Sequence, residues 1–413
     1  MKILLLTETL EPGGAENFVV RLANALSAAN DVMLVVLHSD RIHPALRSLV
    51  QHQVAVAAFD LPAKSLLWRL DSLLRKLGSG RSLVHGLLRR RLRRLVGLEA
   101  PDLIHSHLFH ADRIASDVVR ASPRCPAHVV TVHGDYAAYL DGSADPRIRQ
   151  FRRHARGIVA NADAIVGVAR EHLLFFREHF PLAAGKLHFV YNGYAPPPAP
   201  VPSPSRESLG LGEGEFLFGM VSRGVEKKGW REAVAAFQLL GRPKTALVLV
   251  GEGPEIERIR RDGPPPRVIL AGFSASPLEF IRHFDACLLP TRFAHESLPT
   301  AIVEYLYCSK PVIATGVGEI PEMIANPEGR AAGLLVGFRD EGIDVDELAG
   351  KMAQLVDDPA LRSQLANAAG RAFTKFEMAR CVEAYAKLYR QAVTGRRPGR
   401  LSARAIAEGS VRR

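Results

Sequence analysis

At 413 residues the chain exceeds what one hydrophobic core usually serves, so its length predicts two domains. With 47% hydrophobic and 23% charged residues it reads as globular, and no run reaches the roughly 18 uncharged apolar residues of a membrane-spanning helix. The formal charge of +11 creates a field that draws anions, whether nucleotides, phosphorylated sugars, acidic lipid or nucleic acid, without choosing among them.

The first predicted strand is KILLLT, from Lys2 to Thr7. Its apolar run meets polar Thr7-Glu8 too early for a signal peptide, so the expected compartment is the cytoplasm. Gly13 and Gly14 then precede a helix whose apolar positions, Phe18, Val19, Leu22 and Leu26, follow a helical period. Paired glycines let a backbone approach a ligand at a helix amino end, although a plain turn uses them too. VMLVVL from 32 is the next strand.

Residues 64 to 96 carry Lys64, Arg69, Arg75, Lys76, Arg81, Arg89, Arg90, Arg91, Arg93 and Arg94 against one acid, Asp71. Leu66, Leu70, Leu73, Leu74 and Leu77 fall at helical spacing, which makes the stretch basic and amphipathic. Either it is a domain helix with a solvated arginine face or it rests on anionic lipid. Histidines end two further strands: His105-Ser106-His107 follows DLI, and His133-Gly134 follows VVTV. Neither cluster has a carboxylate or thiolate at ligand spacing, so no metal is expected there. Cys125, Cys287, Cys308 and Cys381 form no C-x-x-C pair, which argues against zinc or a disulfide framework.

AIVGV from 164 continues the alternation of strand and helix, and the proline-rich run beginning at Pro196 interrupts it. We therefore read 1–195 as a first domain, 196–208 as a linker and 209–376 as a second domain. FLFGMV from 216, ALVLVG from 246, VILAG from 268, ACLLP from 286 and PVIAT from 311 restart the pattern. Buried parallel strands covered by helices on both faces fit this alternation, and a site is expected in a cleft between the domains, at the carboxyl ends of the strands. A helix over 377–393, with Met378, Val382, Tyr385, Leu388 and Tyr389 on one face, is expected to cross back onto the first domain. The arginine-rich tail, 394–413, lacks the apolar content to fold.

The second half holds the richer chemistry. Ser222 to Trp230 sets Arg223 and Lys228 around a glycine turn after a strand, an arrangement able to clamp a pyrophosphate. Glu296 lies in a loop and Glu304 in the helix that follows, and two carboxylates can grip neighbouring sugar hydroxyls. The run from Gly316 to Met323 starts another helix near Pro321, whose backbone amides could face phosphate. Asp344-Val345-Asp346 imitates a metal motif, yet Asp344 with Glu347 reads as a helix cap.

Taken in order, R-x4-K-G at Arg223 to Gly229, LVLVGEGP ending at Pro254, the pair Glu296 and Glu304, and PVIAT with GEIPEMI resemble the retaining nucleotide-sugar glycosyltransferases of family GT4. The resemblance implies the GT-B architecture, an α/β fold of two Rossmann-like doubly wound domains facing across a cleft. It also implies Arg223 and Lys228 on the donor diphosphate, Glu296 on donor-sugar hydroxyls and Glu304 on the ribose. In the first domain it implies Gly13 and Gly14 in the glycine-rich loop, His133 facing the donor sugar and His107 on the acceptor side. The co-substrate would be a nucleoside-diphosphate sugar, with no bound cofactor or metal. The acceptor would be a saccharide or a lipid-linked one, made for envelope polysaccharide or glycolipid. One departure stands out: Pro299 occupies a position where the family often has glycine, so phosphate contacts would fall to the neighbouring amide of Thr300. Two other readings are a nucleotide-sugar 2-epimerase on the same architecture and a basic nucleic-acid-binding protein. Against the second, aromatics are 7% of the chain and do not interleave the arginines as stacking platforms would.

Overall fold

A computed structural model describes residues 1–61, 66–76, 82–121, 126–134, 146–196, 204–212, 214–294 and 296–396. Most of the proline-rich linker, the tail from 397, Cys125, Lys64, Leu77 and Arg81 lie outside these residues, as do the side chains of Leu66, Leu74, Arg75 and Lys76. The chain forms two compact units, Met1–Ala195 with Glu377–Arg413, and Pro196–Phe376.

The first unit is built on seven strands: β1 Lys2–Thr7, β2 Asp31–Val36, β3 Ala55–Ala58, β4 Leu103–His107, β5 Ala127–Val132, β6 Ala164–Gly167 and β7 Leu187–Phe189. All pair in parallel, in the order β3-β2-β1-β4-β5-β6-β7. The apolar sequence of β1 explains why helices cover both faces. Ile3 and Leu5 join one core with Phe18, Leu22 and Leu26, whereas Leu4 and Leu6 point into another with Leu88, Leu92 and Ile114.

The basic stretch divides into two helices, Leu66–Lys76 and Leu83–Glu99. Asp71 is not a stray acid among arginines. It is buried, accepting hydrogen bonds from the Leu83 amide at 2.5 Å, the Val84 amide at 3.3 Å and the Ser82 hydroxyl at 2.9 Å, and so caps the second helix. Val84, Leu88, Leu92 and Val96 fasten that helix to the sheet, which leaves Arg89, Arg90, Arg93 and Arg94 exposed. Among the described residues no helix is long and apolar enough to cross a membrane.

The last described helix, Met378–Gly395, belongs to the first unit. Its Tyr385 hydroxyl lies 2.8 Å from Thr131 Oγ1 and its Tyr389 hydroxyl 2.7 Å from His105 Nδ1. Just beyond, Arg396 ion-pairs with Asp163 at 2.6 Å and donates to the carbonyls of Pro126 and Asn161.

The second unit has six strands, β8 Phe216–Val221, β9 Thr245–Val250, β10 Val268–Gly272, β11 Ala286–Leu289, β12 Val312–Thr315 and β13 Gly333–Val336. They run parallel in the order β10-β9-β8-β11-β12-β13. Each sheet therefore winds outward in both directions from a central pair, β1 with β4 and β8 with β11. That reversal leaves a crevice beyond the carboxyl ends of the strands, where ligands bind in folds of this kind.

Candidate functional site

In the second unit the carboxyl ends of β8, β9, β11 and β12 are tied together by backbone contact. Gly251 and Gly253 have φ of +150° and +140°, and a Cβ on either would fall 2.0 Å from the Ser222 carbonyl oxygen or 2.5 Å from that of Gly224. The Gly224 amide donates to the Glu252 carbonyl at 2.7 Å, and the Glu255 amide returns a bond to Gly224 at 2.9 Å. The GEGP motif thus serves as a seat for the loop after β8. Fully buried Trp230 pins that loop from below, its indole N–H 2.9 Å from both Ser222 Oγ and the Arg223 carbonyl. Arg223 itself is exposed, and among the described residues its guanidinium forms no ion pair.

Lys228 and Glu296, 68 residues apart in sequence, meet at 2.5 Å between Nζ and Oε2. Both side chains are largely buried, and the hydroxyl of fully buried Thr291 lies 3.0 Å from the same carboxylate oxygen. The backbone holds this loop equally firmly. The Glu296 carbonyl accepts the Glu319 amide at 3.1 Å, and Gly318, at φ +53°, approaches so closely that a Cβ would lie 2.1 Å from that oxygen. The amide of Glu319, at the start of the five-residue helix Ile320–Ile324, therefore supports the Glu296 loop and is not free for phosphate.

Pro299 immediately precedes the helix Thr300–Tyr307, so Thr300 is exposed at its first turn, where amides lack intrahelical partners. Glu304 is the fifth residue of that helix and is buried. Beside it Tyr305 accepts the Val221 amide at 2.8 Å and donates to the Leu288 carbonyl at 3.2 Å, which fixes the helix to β8 and β11 together. The structure thus brings Lys228 to Glu296, and sets Arg223 on the loop after β8 and Thr300 and Glu304 on the helix after β11, the two central strands of the sheet.

The first-unit residues form a separate group. Helix Gly14–Leu26 begins at exposed Gly14, and Gly13 before it is extended, with φ −161°. Neither glycine is there for a left-handed backbone; Gly13 instead leaves room for the Glu16 carboxylate, which accepts from the Thr9 hydroxyl at 3.0 Å. His107 Nδ1 and His133 Nε2 share a hydrogen bond of 3.0 Å, and Phe18 packs against both rings. His105, its ring 4.1 Å from that of His107 and tilted by 41° on the same strand face, engages Tyr389 with one nitrogen and Thr131 with the other. Burial pushes His105 and His107 well below the usual imidazole range, with neighbouring histidines adding to it. Burial also takes His133 down to about 3, with His172 contributing. These rings are neutral at pH 7 and act as hydrogen-bonding groups, not cations.

Thr291, Gly318 and Trp230 were not signalled by their residue types. Each acts by where a distant segment meets it. Asp344 does cap the helix Val345–Asp357, accepting the Glu347 amide at 3.0 Å.

Residues 12–196 match the family model described as Glycosyltransferase Family 4, and residues 203–372 match that of Glycosyl transferases group 1. Among curated proteins, 2-deoxystreptamine N-acetyl-D-glucosaminyltransferase of Streptomyces fradiae is 29% identical over 34% of this chain, which spans only 37% of that relative. Glycogen synthase of Mycobacterium tuberculosis is 22% identical over 96% of both chains. Among solved structures, Anabaena HepE in complex with UDP superposes with a TM-score of 0.71 at 20% identity, covering 94% of this chain and 99% of that one.

Proposed function

Because the chain belongs to the GT4 glycosyltransferases of GT-B architecture and is a hexosyltransferase-type enzyme, we propose that it moves a sugar from a nucleoside diphosphate to an acceptor hydroxyl with retention of the anomeric configuration. The observation that carries this reading is the buried Lys228, Glu296 and Thr291 cluster at the end of β11, with Arg223 exposed on the loop after β8 and, among the described residues, in no ion pair. In the proposal Arg223 and Lys228 stabilise charge developing on the leaving diphosphate, where fixed donors count most. The Thr300 amide adds a backbone contact, Glu296 orients the sugar hydroxyls and Glu304 takes the ribose. The departing phosphate accepts the acceptor proton on the same face, so no protein nucleophile is needed. His133 is assigned to the sugar-transfer step, Gly13 and Gly14 to the glycine-rich loop, and His107 to the acceptor side.

HepE was solved with UDP, which makes UDP the first probe for this chain. Glu304→Ala should weaken nucleotide binding by ~2 to 4 kcal/mol in titration calorimetry, because bonds to a charged group contribute roughly 1.5 to 3 kcal/mol each and do not add fully. Unchanged affinity across uridine and guanosine diphosphates would remove the ribose assignment. Measuring nucleotide release from a donor panel with and without saccharide acceptors then separates transfer from acceptor-independent chemistry.

We place the acceptor among saccharides or lipid-linked saccharides, with the enzyme on the cytoplasmic side and its exposed Arg89, Arg90, Arg93 and Arg94 toward anionic lipid. Changing these four to glutamine should abolish sedimentation with phosphatidylserine liposomes at low salt while leaving nucleotide affinity intact. Equal sedimentation of both proteins would end the membrane assignment.

A further inference from the structure

Three neighbouring strands of the first unit, β2, β1 and β4, carry polar residues just past their carboxyl ends. Glu8 follows β1, His38 follows β2, and His110 lies at the start of the helix Phe109–Ala121 after β4. One donor atom of each lies within 4.8 Å of the others. We propose that Glu8, His38 and His110 bind a single divalent transition-metal ion of the zinc class, with at least one coordination position left for water or a substrate oxygen.

His38 makes the strongest case. Its ring is fully buried and its Nδ1 is 3.0 Å from the Leu61 carbonyl, an acceptor only, so Nδ1 carries the proton and donates. Nε2 is then left as a bare lone pair, buried and with no hydrogen-bond partner among the described residues. An imidazole oriented through one nitrogen by a carbonyl, with its other nitrogen left for the metal, is how metal-bound histidines are held.

The remaining two ligands are adjustable. The Glu8 and His110 side chains are 27% and 25% exposed and stand 3.9 Å apart, Oε1 to Nδ1. Bonds of 2.0–2.2 Å to tetrahedral zinc place neighbouring donors about 3.4 Å apart, so the set closes around His38 by a contraction of about an ångström. Arg41 lies 4.0 Å from Glu8, but Glu11 grips its guanidinium at two points, 3.2 and 2.5 Å, and so engages its charge. Two imidazoles and one carboxylate are a zinc donor set that characteristically keeps an open position.

Cobalt(II) provides a direct readout. Added to the chelator-treated full chain, it should give the intense visible absorption of a four- or five-coordinate site, saturating at one equivalent and lost on adding zinc. Glu8→Gln, which preserves shape, and His38→Asn should each weaken cobalt binding about tenfold or more. His52→Asn, at an exposed histidine elsewhere, should leave it unchanged. Circular dichroism confirms that each variant is folded. The proposal is overturned if cobalt gives only the pale octahedral spectrum, or if Glu8→Gln binds as tightly as the parent. Since no nucleotide sugar is present, this outcome is independent of the donor-site assignment.

Discussion

Glu296→Ala is expected to lower kcat by about 100-fold or more while leaving nucleoside-diphosphate affinity within a few fold. The carboxylate is the meeting point of Lys228 and Thr291, and its backbone oxygen is held by Glu319, so the loop has one available position. A group held this rigidly serves orientation, and losing the alignment of a reacting sugar costs on the order of 100-fold. Truncation also releases Lys228 from its buried partner, which preserves or strengthens its pull on a phosphate. The two variants should therefore part company: Lys228→Met should weaken diphosphate binding, whereas Glu296→Ala should act on turnover. A double-mutant cycle should show strong coupling, because breaking one side of a buried ion pair typically costs about 3–5 kcal/mol and leaves the other group uncompensated. Near-normal turnover for Glu296→Ala would show that the loop is structural only.

The second large effect concerns a glycine that touches no ligand in the proposal. Gly229 has φ +77°, and a Cβ there would sit 1.8 Å from the Pro290 carbonyl oxygen. Gly229→Ala should destabilise the protein by about 3–5 kcal/mol, since it combines left-handed strain with a backbone collision that no rotamer relieves. Gly241 isolates the collision. It has φ +54°, but its nearest neighbours would be carbonyl oxygens at 3.8 Å, so Gly241→Ala should cost only about 1 kcal/mol. Urea midpoints of the two variants provide the comparison. Similar midpoints would show that the loop after β8 can move off the end of β11, and that Lys228 is not held on Glu296 as described.

The fold class was legible because a parallel sheet buried on both faces must be written as short apolar runs, and KILLLT, ALVLVG and PVIAT are such runs. The motif residues were legible as types, but their pairings were not. Arg223 and Lys228 read alike as two cations on one loop, yet Arg223 stays exposed while Lys228 turns inward to a carboxylate 68 residues away. Gly251 and Gly253 stand in the LVLVGEGP run, and only the close passage of Ser222 and Gly224 explains why neither position tolerates a side chain. Residues 64 to 96 read as one amphipathic stretch, because nothing local reveals that Asp71 caps the helix beginning at Leu83. Glu8, His38 and His110 are separated by whole strands and helices, so their convergence belongs to the strand order.

The helix Met378–Gly395 has a consequence for how the protein is made. The second unit is one uninterrupted segment, whereas the first is written on either side of it, with its closing helix translated after the second unit. Until Tyr385 and Tyr389 emerge from the ribosome, Thr131 and His105 lack the hydroxyls they bond, and the core around Phe18 and Leu22 lacks a wall. The second unit can therefore complete its own core during synthesis while the earlier-made first unit waits unfinished. Translation that stops short of Met378 would yield a chain with a sound second unit and an open first one, a product for chaperones and proteases and not for catalysis.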